Sequence, residues 1–272
     1  MTTIKKTLVY SFYVNNEWMG AVTNRIHFEC LKAYSDIFDE VKITLLIDDV
    51  NDIDTITSVE KFFLDIFKQK EITFKVSENN IFREASVFYN EIATKIGKLN
   101  GLVFFAHNKG ITNVADGYEL DSIYRWINSM YFLSLGYSEE AVKKLTDERY
   151  LAYGSLLDFV NAEENSTPYL DMGKGNFMYT GTFFWMNVGT LNDYLLKSKA
   201  QIPQFTDRWY AENFLANTVP FKCCTAHEGK YVVDYVGGRK YIKYLIERAL
   251  SDTTKEELSR FNDSILEKVG LK

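Results

Sequence analysis

Two kinds of hydrophobic spacing alternate along the first hundred residues. Residues 7–14 and 41–47 are nearly continuous apolar or β-branched runs and read as buried strands; residues 71–76 form a shorter one. Between them, residues 21–38 repeat apolar side chains at helical spacing (Ile26, Cys30, Leu31, Tyr34, Phe38). So do residues 55–68 (Val59, Phe62, Phe63, Ile66) and 83–99 (Val87, Phe88, Ile92, Ile96). A fourth apolar run, residues 102–106, ends at His107 and completes a β-α-β-α-β-α-β order. That order predicts an α/β fold with a mostly parallel central sheet flanked by helices. Ligands of such sheets bind beyond the carboxyl ends of the strands.

The second half is less regular. Residues 121–135 and 139–145 carry helical spacing, and 150–156 reads as a strand. Residues 162–175 are polar, with Pro168, Gly173 and Gly175, and read as a loop. Residues 176–186 are expected to form one aromatic strand, and 190–199 and 208–218 helices. Residues 221–236 suggest a hairpin turning at Glu228-Gly229-Lys230. Gly237-Gly238 is a candidate hinge before two C-terminal helices, 241–250 and 254–269.

Composition narrows the function classes. The chain has 272 residues, 46% hydrophobic and 25% charged, an ordinary soluble balance. Its 18 Tyr and 20 Phe fill a core or line a sugar- or base-binding cleft. A net charge of −6 argues against nonspecific nucleic-acid binding, which needs a basic surface. The three cysteines, Cys30, Cys223 and Cys224, fit a reducing cytoplasm better than a disulfide framework, and lack zinc spacing. No leader is evident, and no apolar run approaches the ~20 residues that span a bilayer. The expectation is a cytoplasmic protein, with contact at the inner face of the membrane left open.

Candidate chemistry gathers at predicted strand ends. His107, Asn108, Lys109 and Gly110 place an imidazole, an amide and an ammonium at one mouth, with glycine to turn the chain. Such a mouth suits an anionic ligand such as a diphosphate; the alternative is a polar turn after a core strand. The second strand ends in Asp48-Asp49, carboxylates that accept hydrogen bonds from a base or ribose, bind a metal, or cap the helix near Thr55. Arg83 contacts nucleotide or pairs with Glu84. His27 falls inside a helix, where it packs or faces solvent. His227 sits near a turn, exposed or structural, or reaches phosphate. Arg239, Lys240 and Lys243, beside Tyr241, Tyr244 and Leu245, form either a solvated helix face or a contact for anionic lipid.

In order, these motifs resemble GT-A glycosyltransferases, particularly the family 2 type. Those enzymes carry a nucleoside-recognising Asp after the second strand and an Asp-x-Asp metal motif after the fourth. Here His107-Asn108-Lys109 stands at the triplet. The following His107-Asn108-Lys109-Gly110, Arg125-Trp126, Tyr153-Gly154-Ser155, Thr180-Gly181-Thr182-Phe183-Phe184-Trp185 and Arg208-Trp209-Tyr210-Ala211-Glu212 look like bacterial GT-A-like proteins of surface-polysaccharide synthesis. That pattern has two tryptophans where this chain has Phe184-Trp185 or Trp185-Met186. The resemblance runs from about residue 8 to 215.

It implies a catalytic domain, expected over residues 1–236, with a nucleotide-binding half (1–110) and an acceptor half (111–236); the Gly237-Gly238 pair sets off a C-terminal helical extension over 237–272. It implies transfer from a nucleotide-sugar, a UDP-sugar by expectation, to a hydroxyl of a capsule- or lipopolysaccharide-type glycan, with inversion. Donor contacts would come from Tyr10, Asn15, Asp48, Asp49, Arg83, His107, Asn108 and Lys109. Thr180, Gly181, Trp185 and Arg208 would meet the acceptor. Glu212 would be the general base, with Asp207 as its substitute at an expected N-cap. Arg208, four residues before Glu212, makes a structural ion pair the competing reading. Loss of both acids of Asp-x-Asp leaves a divalent metal (Mn or Mg) unsettled, with His107 as its possible ligand. Two rivals share the α/β half: a nucleotidyltransferase, which lacks its Gly-rich basic loop here, and a noncatalytic glycan-binding scaffold. Oligomeric state is not readable.

Overall fold

The computed structural model describes residues 4–108, 120–146, 150–154, 157–159, 177–179, 182–205, 207, 210–218, 223–225 and 251–272. Its first half follows the alternation of the sequence: β1 (Lys6–Val14), α1 (Val22–Tyr34), β2 (Glu40–Ile47), α2 (Ile53–Ile66), β3 (Glu71–Glu78), α3 (Glu84–Glu91) and β4 (Leu102–His107). Then come α4 (Leu120–Tyr131), α5 (Ser138–Thr146), β5 (Ala152–Gly154), β6 (Leu157–Phe159), β7 (Phe177–Tyr179), β8 (Phe184–Asn187), α6 (Val188–Ser198), α7 (Tyr210–Thr218), β9 (Cys223–Thr225) and α8 (Asp252–Lys268).

A seven-stranded sheet runs β3-β2-β1-β4-β8-β5-β9, and β6 and β7 form a separate pair. All neighbouring pairs in the large sheet are parallel except those of β8, which runs against both β4 and β5. The expected mostly parallel, helix-covered sheet is therefore present. β1 is covered on both faces, which is why it reads as an unbroken apolar run. The edge strand β3 alternates exposed and partly covered positions and carries Glu71, Lys75 and Glu78, charges that discourage a further strand from pairing.

Winding direction decides which face each helix covers. β1, β2 and β3 step one way, and α1 and α2 bury Ile26, Leu31, Ile56, Val59 and Phe63 against one face. β4 lies on the other side of β1, and α3 packs Ala85, Val87 and Phe88 on the opposite face. Right-handed crossovers require this change of face when the strand order reverses. The reversal lies between β1 and β4, the switch point beyond which such sheets bind ligands. Gly101 fixes how β4 enters beside β1: its φ is +77°, and an added Cβ would lie 2.2 Å from the Lys5 carbonyl oxygen.

α2 starts where Asp52 accepts a hydrogen bond from Thr55 N at 3.1 Å, a cap that contributes about 1 kcal/mol. Its stripe Ile56, Val59, Phe63, Ile66 is buried, and Phe63 meets Phe12 edge-on at 5.2 Å. Burying one such ring stabilises by roughly 2–3 kcal/mol.

Three local expectations change. The helix over 83–99 ends at Glu91, and a 3₁₀ segment, Ala93–Lys98, follows; its three-residue repeat turns Ala93 and Ile96 into one core. The helix over 121–135 gives way to a π-turn at Phe132–Gly136. The aromatic strand over 176–186 splits into β7 and β8, which belong to different sheets; between them Thr182 has a φ of +57°, incompatible with a continuous strand. Cys223–Thr225 pairs in parallel with β5; the rest of the expected hairpin lies outside the described residues, as do the 162–175 loop, the Gly237-Gly238 hinge and the 241–250 helix. The final helix, α8, packs on the body of the fold. Leu258, Ile265 and Val269 join the same core as α1 and α4, and Arg25 donates to the Val269 carbonyl at 2.7 Å.

Candidate functional site at the sheet switch point

β1 and β2 outlast β4. In register, His107, the last residue of β4, lies beside Ser11, while Val14 lies beside Ile47. Three residues of β1 rise past the end of β4, a step of about 10 Å at 3.3 Å per residue. Asn15 and Asp48 follow this last pair on adjacent strands.

Asp48 is exposed and held from two sides. Its Oδ2 accepts from the Tyr13 hydroxyl at 3.0 Å, and its Oδ1 from Asn79 Nδ2 at 2.9 Å. Asn79 is itself tied back, its N–H donating to the Ile47 carbonyl at 2.9 Å. The carboxylate thus has a fixed direction, with lone pairs left for an incoming donor. Burial pushes the Tyr13 phenol up; its bond to Asp48 and that carboxylate's charge push the same way, and the Arg83 guanidinium opposes them. Arg83 therefore belongs to the same cluster. Its φ of +46° is a conformation glycine adopts more readily. Beside Asp48, the carboxamide oxygen of Asn15 is buried without a hydrogen-bond partner among the described residues.

Asp49 has a different task. Its Oδ1 accepts from Asn51 N at 2.9 Å and Asn51 Nδ2 at 3.2 Å, forming the turn into α2. The residue itself is exposed. Tyr10 needs correction: it is fully buried on the α1–α2 face, and its hydroxyl accepts from Tyr131 at 3.3 Å. Strand parity separates it from Tyr13, which faces the other way and which the sequence reading did not select, as it did not select Asn79. Tyr131 in turn shares a 2.9 Å hydrogen bond with His27 Nδ1, so His27 is a core residue.

At the end of β4, His107 is buried and its ring lies 6.0 Å from that of Phe183. Asn108 is buried too, with its amide committed to Tyr13 and Asn24; it builds the mouth and has no free group for a donor. Trp185, expected at the acceptor, is fully buried. Its Nε1 donates to the Ser134 carbonyl at 2.9 Å and its ring stacks on Phe38 at 5.6 Å. No face of the indole is open to a sugar.

Glu212 lies in the first turn of α7 and is buried. Asp207 stands before that helix, its carbonyl accepting from Tyr210 N at 3.3 Å. α7 covers the α3 face, where Phe88 meets Tyr210 and Phe214 at 6.2 and 5.1 Å. Lys109, Thr180, Gly181, Arg208, His227 and the basic stretch at Arg239, Lys240 and Lys243 lie outside the described residues.

Among the described residues, no group of three His, Cys, Asp or Glu side chains could hold a metal ion. With Asn108 committed to protein partners, the described donors at the β4 mouth do not fit a divalent ion held in the Asp-x-Asp manner. No helix among the described residues is long and apolar enough to cross a membrane.

The fold is that of an α/β protein with a mostly parallel sheet, and the candidate site lies at its switch point. No protein-family profile and no curated protein matches the chain. Among solved structures it is similar to S. aureus TarS 1–349, at 11% identity and a TM-score of 0.36, over 78% of this chain and 54% of that one. It is also similar to a 4-diphosphocytidyl-2C-methyl-D-erythritol synthase, at 11% identity and a TM-score of 0.35, over 81% and 88%. The chain thus spans about half the length of the TarS chain. Likenesses this distant carry no argument about function.

Proposed function

We propose that this chain is a GT-A-like glycosyltransferase that takes a nucleotide-sugar, a UDP-sugar by preference, and transfers the sugar to a hydroxyl of a capsule- or lipopolysaccharide-type glycan. The observation that carries the reading is Asp48. It is an exposed carboxylate, aimed by Tyr13 and Asn79, at the end of β2 beside the switch point. A nucleoside offers the N–H and hydroxyl donors that such a group lacks, and the unmet oxygen of Asn15 adds a second acceptor. Arg83 and His107, with Lys109, would face the diphosphate and offset the charge it gains on leaving. Glu212 would take the proton from the acceptor hydroxyl as its oxygen attacks the anomeric carbon. The bond from that carbon to the diphosphate then breaks on the opposite face, with inversion. The protein would work in the cytoplasm, at the inner face of the membrane where such glycans are built.

The competing reading is nucleotidyl transfer, since the same crevice would hold a nucleoside triphosphate. Incubation with a panel of nucleotide-sugars, with and without EDTA and with acceptor glycan, separates the readings. Release of nucleoside diphosphate supports glycosyl transfer, and its persistence in EDTA points to side-chain cations. Pyrophosphate release from a nucleoside triphosphate overturns it in favour of nucleotidyl transfer. Tight binding without turnover makes the protein a scaffold.

A further inference from the structure

Between α6 and α7, residues 200–205 form no helix or strand. The Phe205 ring anchors them to the start of α3. It stacks on Tyr89 of α3 at 5.0 Å and 15°, and meets Phe82, just ahead of that helix, at 5.0 Å and 61°. On its other side it meets Tyr210, the first residue of α7, edge-on at 5.3 Å. The Tyr210 hydroxyl ties the same segment to the helix by donating to the Pro203 carbonyl at 2.8 Å.

Both ends of this aromatic cluster lead to the candidate site. Phe82 lies in the turn after β3, between Asn79, which holds Asp48, and Arg83. That turn is tied internally: the Phe82 N–H donates to Asn80 Oδ1 at 2.8 Å, and the Arg83 N–H to the Asn80 carbonyl at 3.1 Å. A displacement of the Phe82 ring is therefore shared by Asn79 and Arg83. At the other end, Glu212 follows Tyr210 by two residues in the first turn of α7. Aromatic pairs favour particular angles as well as separations, so they fix the orientation of the elements they join.

We propose that Phe205 is a positioning residue: its ring couples the donor-binding turn at residues 79–83 to α7, and so sets Glu212 against the bound donor. The assignment rests on the glycosyl-transfer reading above. Phe205 acts through Phe82 and Tyr210, not on the reacting atoms. A misplacement of about 1 Å costs on the order of 10²-fold in rate. Loosening the ring would therefore lower turnover more than donor affinity, which Asp48 and Arg83 still supply.

Transfer kinetics, UDP calorimetry and amide hydrogen exchange on the full chain test this. Phe205→Leu keeps an apolar side chain and loses the stacking plane; kcat should fall about tenfold or more, with UDP affinity within about threefold of wild type. Phe205→Tyr keeps the ring and should restore kcat. Phe82→Leu should cost a similar factor, and the Phe82→Leu/Phe205→Leu double variant little more, because both act through one contact. In wild type, UDP should slow amide exchange across α7; in Phe205→Leu that protection should be lost. A lower Tm with wild-type kcat overturns the assignment, as does a loss confined to UDP affinity, or UDP binding that leaves α7 exchange unchanged. If UDP protects α7 through Phe205 but no nucleotide-sugar is turned over, the coupling by this ring stands and the glycosyltransferase reading falls. A wild type that binds no UDP overturns both.

Discussion

The side chain of Asn108 continues a ladder with Tyr13 just past the end of β4. Its Oδ1 accepts from the Tyr13 N–H at 2.9 Å, and its Nδ2 donates to the Tyr13 carbonyl at 2.9 Å. The second Nδ2 hydrogen goes to Asn24 Oδ1 at 3.1 Å, and Asn24 donates to the Trp18 carbonyl at 2.9 Å. One amide thus joins β4, β1 and α1 at the carboxyl end of β4. Asn108→Asp would set a buried carboxylate against two acceptors. It should cost about 3 kcal/mol or more in urea unfolding at neutral pH. Part of that loss should return at low pH: the new carboxyl's folded pKa is raised, so its penalty grows as pH rises and fades as it protonates. An Asn108→Asp protein as stable as wild type at pH 7 would contradict the donor role of Nδ2.

Asn15 and Asp48 should separate from Asn108 in kind. Asp48 is exposed and the Asn15 oxygen has no partner among the described residues, so Asp48→Asn and Asn15→Ala should change stability by no more than about 1 kcal/mol. Each should weaken UDP binding by about tenfold, since a directed acceptor is lost. Tyr13→Phe should do so more mildly, because Asn79 still holds Asp48. Calorimetry beside thermal unfolding checks the split. A fall in Tm with unchanged affinity would make this cluster a strand-end clamp.

The architecture of the first half was legible because each of its elements carries its own period. Strands buried on both faces are continuous runs, and α1 and α2 show clear apolar stripes. The site was only half legible. Asp48 stood out as an acid at a strand end, but its partners Tyr13 and Asn79 come from other elements, and only register brings them together. Tyr10 is a polar aromatic on β1, but its place in the strand's alternation puts it in the core. Trp185 carried a sugar-stacking pattern, yet its neighbours Phe38 and Phe104 lie far away in sequence and close over it. The break at Thr182 follows directly on Gly181, the one residue of that run that marks a bulge in the sequence; threonine itself is an ordinary strand residue.

Arg83 should show opposed effects on stability and binding. Its positive φ costs of order 1–3 kcal/mol in a non-glycine residue. Arg83→Gly removes that strain against about 0.5–1 kcal/mol of added chain entropy in the unfolded state. The variant should be as stable as wild type or up to about 2 kcal/mol more stable, while UDP affinity drops by about tenfold. A variant that loses stability would show that the side chain's contacts outweigh the strain.

Stability should fall at both ends of the pH range. Burial raises Tyr10, Tyr131 and Tyr210, so all three resist ionising when folded. Raised folded values contribute stability that is complete below the ordinary tyrosine range near pH 10 and is lost as pH climbs beyond it. At the other end, burial works to raise Glu91, but its ion pairs with Lys75 at 2.8 Å and Lys95 at 2.5 Å win and hold it below its usual value. That contribution is present above about pH 4.5 and fades as pH falls. Because both lysines are half exposed, Glu91→Gln should cost only about 1 kcal/mol and flatten the acid limb. Urea midpoints from pH 3 to 11 would show both limbs; an acid limb unchanged in Glu91→Gln would remove this carboxylate from the explanation.

Glu212 decides whether the crevice does chemistry. A buried carboxylate in the first turn of a helix has two ordinary uses, a structural pairing or stabilisation by the helix dipole, and one catalytic use. Glu212→Gln keeps the volume and removes the base. For a general base, turnover of nucleotide-sugar onto acceptor should fall by about 10²–10⁴-fold, with donor affinity and Tm close to wild type. The pH–rate profile should also lose its acid limb, since no carboxylate remains to be protonated. A structural pairing gives the reverse: Tm falls, and the surviving folded enzyme turns over normally. Asp207→Asn is the control. It lies before the helix, and if transfer collapses there while Glu212→Gln stays active, the base belongs to Asp207 and the orientation of α7 toward the acceptor must be redrawn.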